Sequence, residues 1–169
     1  EQPLEALFSE FSEPVAAASI AQVHRGKLVS DGSDVAVKVL RPGIEKAFRR
    51  DIDAFYFAAR MIEVLAPSAR RLRPLDVIAH FEGVVMGELD LRLESSAAGE
   101  FAANTITDLG FQLPKINWGL SGKNIMTMDW AEGISAGDNA ALDAAGHDRK
   151  RIGERILQLF LSHALRDGF

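Results

Sequence analysis

Apolar residues recur along this chain in two rhythms, and the switches between them mark its elements. Leu4, Leu7, Phe8 and Phe11 step by three and four, which predicts a short amphipathic helix over 4–11 before Pro14. Residues 15–29 suit two short strands, or a strand and a loop. Ser30-Asp31-Gly32-Ser33 is a turn signal. Val35–Leu40, "VAVKVL", places valine at alternate positions and predicts a strand that Arg41-Pro42-Gly43 ends. The rhythm then turns helical. Ile44, Phe48, Ile52, Phe55, Ala59 and Ile62 share one face of a long helix closed by Pro67. Pro74 suits the first position of a second helix, which the pattern from Leu75 to Phe101 carries on with a kink near Gly87. "FQLPKINW" and "NIMTMDW" read as two strands joined by the turn "GLSGK". A linker with a short helix follows, and Ile152, Ile156, Leu159, Phe160 and His163 define a last helix over about 148–166. No internal repeat interrupts this α+β order.

Composition narrows the class. The 169 residues suffice for one domain with a core, and 47% hydrophobic with 25% charged residues is ordinary for a soluble globular chain. A net charge of −5 argues against a general nucleic-acid binder. Without cysteine, disulfides, zinc-thiolate sites and thiol catalysis drop out, and a reducing compartment is compatible. No apolar run is long enough to span a bilayer, and the N-terminus carries no signal-peptide pattern. A start without Met and an end on "RDGF" read as a piece of a longer protein.

Two segments carry chemistry. In "VAAASIAQVH", Ala16, Ala18, Ala21 and Val23 occupy the places that a kinase glycine-rich loop, G-x-G-x-x-G-x-V, gives to three glycines and a valine. Val35-Ala36-Val37-Lys38 matches the kinase V-A-I-K pattern on the strand that pattern requires. In such a pair the hairpin covers the nucleotide and the lysine sets a point charge on its phosphates. Val23 and Ala36 would supply apolar surface above an adenine ring. The lysine needs a helical carboxylate partner, and Glu88, Asp90 and Glu94 cluster in "GELDLRLESSAAGEF". Asp90 and Glu94, four apart, would share a helix face; composition alone favours a solvated acidic face with Glu88 paired to Arg92.

Taken together, "PVAAASIAQVHRGKL", "VAVKVLRPGIE", "ELDLRLESSAAGEF" and "LRDGF" resemble the UbiB family, the atypical protein-kinase-like proteins of ubiquinone biosynthesis, also called AarF-domain-containing kinases. The resemblance covers nearly the whole chain. It implies a protein-kinase-like N-lobe, an antiparallel sheet with a helical insert before the αC helix, truncated before the catalytic loop. On that basis residues 1–40 form the hairpin with the Ala-rich loop and Lys strand. Residues 41–86 form the insert, 87–133 the αC helix and hinge-leading strands, and 134–169 the start of the C-lobe helices. Lys38 matches the phosphate-binding lysine and Glu94 the αC glutamate, so these two are the catalytic candidates. Ala16, Ala17, Ala18 and Ser19 would contact phosphates. Met128 would be the gatekeeper, and backbone groups of Asp129 and Ala131 would take adenine. Glu88 and Asp90 match an E-x-D regulatory motif that in relatives pairs with an N-terminal K-x-G-Q helix, which is absent here.

The implied cofactor is ATP or ADP, with Mg in the full-length protein. The family's catalytic Asp and Asn and its magnesium-binding Asp would follow Phe169, so the expectation for this chain is no turnover, with Asp167 a turn residue. The competing reading is a non-catalytic, pseudokinase-like module for lipid or protein partners. The four histidines are scattered without metal-like spacing, and Trp118 and Trp130 read as packing residues. Arg49, Arg50, Arg70, Arg71 and Arg73 bracket the apolar stretch "IDAFYFAARMIEVLA", which reads as a core-facing helix with a solvated rim and alternatively as a membrane-surface helix. The expected location is the cytoplasm, with peripheral contact at the inner membrane as the sharper alternative.

Overall fold

A computed structural model describes residues 3–168. The order is α1 (Leu4–Leu7), β1 (Phe8–Ala17), β2 (Ala21–Leu28), β3 (Asp34–Leu40), α2 (Ile44–Leu65), α3 (Pro74–Glu88), α4 (Leu91–Asn104), β4 (Ile125–Asp129), α5 (Asn139–Ala144) and α6 (Arg149–Arg166). The four strands form one antiparallel sheet in the order β1-β2-β3-β4, and the architecture is α+β as expected.

The sheet separates two apolar clusters because the side chains of β3 alternate across it. Val35 and Val37 join Phe8 and Leu28 on one face, flanked by Phe11, Val39 and Ile125. Leu40 points to the other face, where Ala21, Met126, Leu89 and Leu91 form a second cluster with Met128 and Ala98 against it.

The expected N-terminal helix over 4–11 is corrected: helix stops at Leu7 and Phe8 begins a strand. The helical spacing of Phe8 and Phe11 comes from a β-bulge. Phe8 pairs with Leu28 and Phe11 with Gly26, with a register shift between Phe8 and Glu10. The extra residue turns both rings to one face, where their centroids lie 5.2 Å apart edge-on. Pro14 sits at further register shifts on this edge strand, where a missing N–H is tolerated.

Two further expectations change. The kink near Gly87 is a full break. Leu89 and Leu91 are both almost wholly buried, so the chain passes between them in extended form at Asp90 and starts α4 anew. The expected strand in "FQLPKINW" is a single bridge, Ile116 to Met128, with bonds from Asn117 N to Thr127 O and Asp129 N to Lys115 O. A short 3-10 turn at Trp118–Leu120 then redirects the chain, and β4 pairs with β3 instead.

The long helix, Pro74 at the start of α3, the short α5 and the last helix stand where the pattern places them. In α2, Ile52 and Ala59 are buried, while Phe55 packs edge-on against Phe81 of α3 at 6.0 Å and Tyr56 donates to Glu82 at 2.9 Å. No helix among the described residues is long and apolar enough to cross a membrane.

The bulge makes Gly26 essential. A Cβ there would lie 2.8 Å from Cδ1 of the buried Phe8 ring. Gly26→Ala should therefore destabilise the protein by about 1–3 kcal/mol through overpacking. The check is a lower urea midpoint at unchanged m-value, and an unchanged midpoint would disprove the tight fit.

Candidate functional site

The site is built across the second face of the sheet. Directly opposed residues of an antiparallel sheet share a face, and the register lines up two rows. Ala16, Val23, Lys38 and Met126 form one; Arg25, Ala36 and Met128 form the other. Five of the expected nucleotide residues, Ala16, Val23, Ala36, Lys38 and Met128, thus come together from four strands.

Glu94 reaches this face from the first turn of α4. Lys38 Nζ donates to both its carboxylate oxygens, at 2.7 Å to Oε1 and 2.6 Å to Oε2. The lysine side chain is 23% exposed and the glutamate 47%. An ion pair this open adds under about 1 kcal/mol to stability, so its place in the structure is about position, not strength.

The cluster of three carboxylates resolves into separate roles. Asp90 is not on a helix face with Glu94. It caps α4, accepting from Arg92 N at 3.1 Å, and its carboxylate also takes Arg92 Nε at 2.8 Å. That guanidinium holds Asp90 down at about 2. Arg92 therefore does not serve Glu88, which is exposed at the end of α3. The expected like-charge cost between Asp90 and Glu94 is met by a different cation for each.

Both ends of α4 are tied down. At its start, Leu91 N donates to Lys123 O at 2.9 Å, and Lys123 Nζ donates to Glu45 of α2 at 2.8 Å. Leu40 N, at the end of β3, donates to the neighbouring Asn124 O. Beyond its end, Asp108 receives Arg166 at 2.9 and 2.8 Å and His163 Nε2 at 2.8 Å. A carboxylate flanked first by Arg166 and then by His163 stays ionised far below its usual range. His163 accordingly carries its proton on Nε2. It is buried, as the sequence suggested for the last helix, against Phe101 and Phe111. Sequence reasoning missed Lys123, Glu45, Asp108 and Arg166 as supports of the site.

The alanine loop is a tight turn. Ala18 N donates to Ala21 O at 2.9 Å, and Arg41 holds the tip by bonds from its N to Ile20 O at 2.8 Å and from its Nε to Ala18 O at 3.1 Å. Among the described residues only Arg73 has a positive φ outside glycine, so no loop alanine occupies the left-handed region. Arg41 had been read only as a strand terminator.

Beyond β4, Asp129 gives its N–H to Lys115 O, and Trp130 gives its own to Asp34 O at 3.1 Å. Arg25 lies 4.8 Å above the Trp130 ring and pairs with Asp34 and Glu132, so this tryptophan packs, as expected. Ala131 is exposed just past this anchor. Asp167 caps the end of α6 and Gly168 follows with φ 77°, a turn as expected; Phe169 lies outside the described residues.

The family model of the ABC1 atypical kinase-like domain matches residues 1–169. The chain belongs to this family. It is 36% identical to a probable protein kinase UbiB of Marinobacter nauticus over 168 residues, 99% of this chain and 30% of that protein. Its identity is 38% to the UbiB of Shewanella baltica and 37% to that of Vibrio cholerae, each over 99% of this chain and 31% of the relative. The chain thus spans about a third of the length of these relatives. The antiparallel four-stranded sheet with its helices is consistent with the kinase-like N-lobe of this family.

Glu45 gives the scaffold a pH signature. Lys123 and then Arg49 hold its carboxyl at about 2. A carboxyl depressed in the folded state adds stability in full above its unfolded value near pH 4 and loses it as pH falls through its folded value. Glu45→Gln should therefore destabilise at neutral pH, and its deficit against wild type should close between about pH 4 and 2. Urea melts across that window test this, and a deficit that is constant with pH would refute it.

Proposed function

We propose that this chain is the ATP- or ADP-binding part of a UbiB-like atypical kinase or ATPase that supports ubiquinone biosynthesis. The observation that carries the reading is the two-pronged Lys38–Glu94 bond on the sheet face that also presents Ala16, Val23, Ala36 and Met128. A lysine held by a helical carboxylate is a charge of fixed position, suited to phosphate oxygens. Beside it, Val23, Ala36 and Met128 form an apolar strip of the kind that takes a purine ring. The donor set fits a nucleotide.

Each residue then has a task. Lys38 meets the α- and β-phosphates, and Glu94 orients it. Ala16, Ala17, Ala18 and Ser19 lie over the phosphates. Since Asp129 and Trp130 spend their N–H groups elsewhere, adenine takes the Asp129 carbonyl and the Ala131 N–H. Glu88 and Asp90 serve as the regulatory motif, Asp90 through its cap on the helix that bears Glu94. The segments keep the proposed division: 1–40 loop and lysine strand, 41–86 insert, 87–133 αC and hinge, 134–169 first C-lobe helices.

Phosphoryl transfer also requires magnesium. Among the described residues no group of three or more His, Asp or Glu is placed to hold a metal ion, so the proposal assigns magnesium to carboxylates of the full-length protein.

A second reading concerns the insert, and a specific observation favours it. Val64, Leu65 and Leu72 are 65–75% exposed where α2 turns into α3. Arg70, Arg71 and Arg73 are exposed in the same connection. An apolar tip ringed by guanidinium groups suits the surface of an anionic bilayer. In this reading the protein works as a peripheral membrane protein on the cytoplasmic side.

In a thermal-shift titration of the full-length protein, ATP and ADP should raise the melting temperature. Lys38→Ala should weaken both by about tenfold or more; equal affinities would remove the lysine from the site. For the insert, the protein should co-sediment with anionic vesicles at low salt and lose them at high salt. Absence of binding at low salt would end the membrane reading.

A further inference from the structure

We infer that Arg41 is a second phosphate-contacting cation of the nucleotide site, aimed by the alanine loop itself. This inference rests on the nucleotide reading above and adds to it a residue that the kinase-like pattern does not assign.

Arg41 follows β3 directly and stands three residues beyond Lys38. Its backbone N–H and its Nε go to two carbonyls of the loop tip, Ile20 and Ala18. Pro42 follows with a fixed φ, which stiffens the chain beneath the guanidinium. A guanidinium held through Nε still has the N–H groups of Nη1 and Nη2 to offer. The fork has no protein acceptor among the described residues, so four N–H donors remain at the loop tip.

Charge makes the same point. Arg25, Arg49, Arg50, Arg73, Arg92, Arg149 and Arg166 each pair with a carboxylate. Those without such a partner among the described residues are Arg41, Arg60, Arg70, Arg71, Arg151 and Arg155. All but Arg41 are exposed, where water compensates the charge; Arg41 is half-buried. Arg41 keeps contact with water at its Nε bond but has no carboxylate partner, so an arriving anion would supply its counter-charge. Lys38 cannot fill that need alone, because Glu94 already balances its charge. The loop contributes less than a glycine loop does, because Ala18 spends its N–H within the turn. The nucleotide's negative charge therefore falls to the guanidinium fork, whose geometry matches phosphate oxygens two at a time. A contact at the tip, beyond Lys38 along β3, reaches the outer phosphates and leaves the α-phosphate to Lys38.

The test is calorimetric binding of ATP, ADP and AMP to the full-length protein, wild type beside Arg41→Gln. Loss of a charged fork should weaken ATP by about tenfold or more, ADP by less, and AMP hardly at all. An equal loss for all three would make Arg41 only a support of the loop and overturn the inference, as would no loss. A wild type that binds none of the three would instead bring down the nucleotide reading, and this inference with it. If Arg41→Gln fails to fold, Arg41→Lys keeps the charge but not the fork or the Nε bond. It should still weaken ATP more than AMP, and a uniform effect in it would overturn the inference equally.

Discussion

The bond between Lys38 and Glu94 joins a strand to a helix 56 residues further along the chain, and the arrangement around it exists to hold that distance. The bond cannot hold it alone, since a half-exposed ion pair is too weak to place a helix. Backbone bonds do so. Lys123 O takes the first amide of α4 while the adjoining Asn124 O takes the amide of Leu40, two residues beyond Lys38. One turn therefore sets where the lysine strand ends and where the glutamate helix begins. At the other end, about 20 Å away for a helix of 14 residues, Asp108 binds α6 through Arg166 and His163. Fixed at two points, α4 has little freedom to swing its glutamate away from the lysine.

The apolar side of the same construction is economical. Leu89 and Leu91 flank the break between α3 and α4 and are among the most buried side chains of the protein. Both belong to the cluster with Ala21, Leu40 and Met126. The break is thus driven inward by two leucines, and Asp90 between them is left at the rim, where its carboxylate caps the new helix. The motif that places Glu94 is at once a core contact, a cap and a helix start.

How much of this could be read from residues alone depended on range. The lysine strand, the helical insert and the last helix carry periodic signals over many residues, and they stand where the pattern puts them. Phe8 and Phe11 misled, because a bulge in a strand reproduces the i, i+3 spacing of a helix. "FQLPKINW" misled because a strand-like run found one bridge only. Glu94 was found by resemblance, while composition favoured a solvated acidic face. The anchors were not legible. Glu45 and Lys123 are 78 residues apart, and Asp108 and Arg166 are 58. No periodicity links such pairs, and each charge alone reads as surface. Arg41 was hidden for another reason: beside Pro42 and Gly43 it looked like punctuation.

The three alanines in place of glycines have a backbone explanation. Glycine is needed where φ is positive or where backbone must approach closely. No residue of this turn takes a positive φ, so the first requirement is absent. A glycine-rich loop owes its order partly to the ligand beneath it, and binding then carries the entropy of ordering the loop. Here the turn is closed by Ala18 N to Ala21 O and pinned from outside by Arg41. Its order is established in folding, before any ligand arrives. The second requirement now works in reverse. At Ala21 the methyl is buried against the cluster of Leu40 and Met126, where it fills space that a glycine would leave open. The shape of this turn is therefore set by the chain's own bonds, at Ala18, Ala21 and Arg41, and not by glycine.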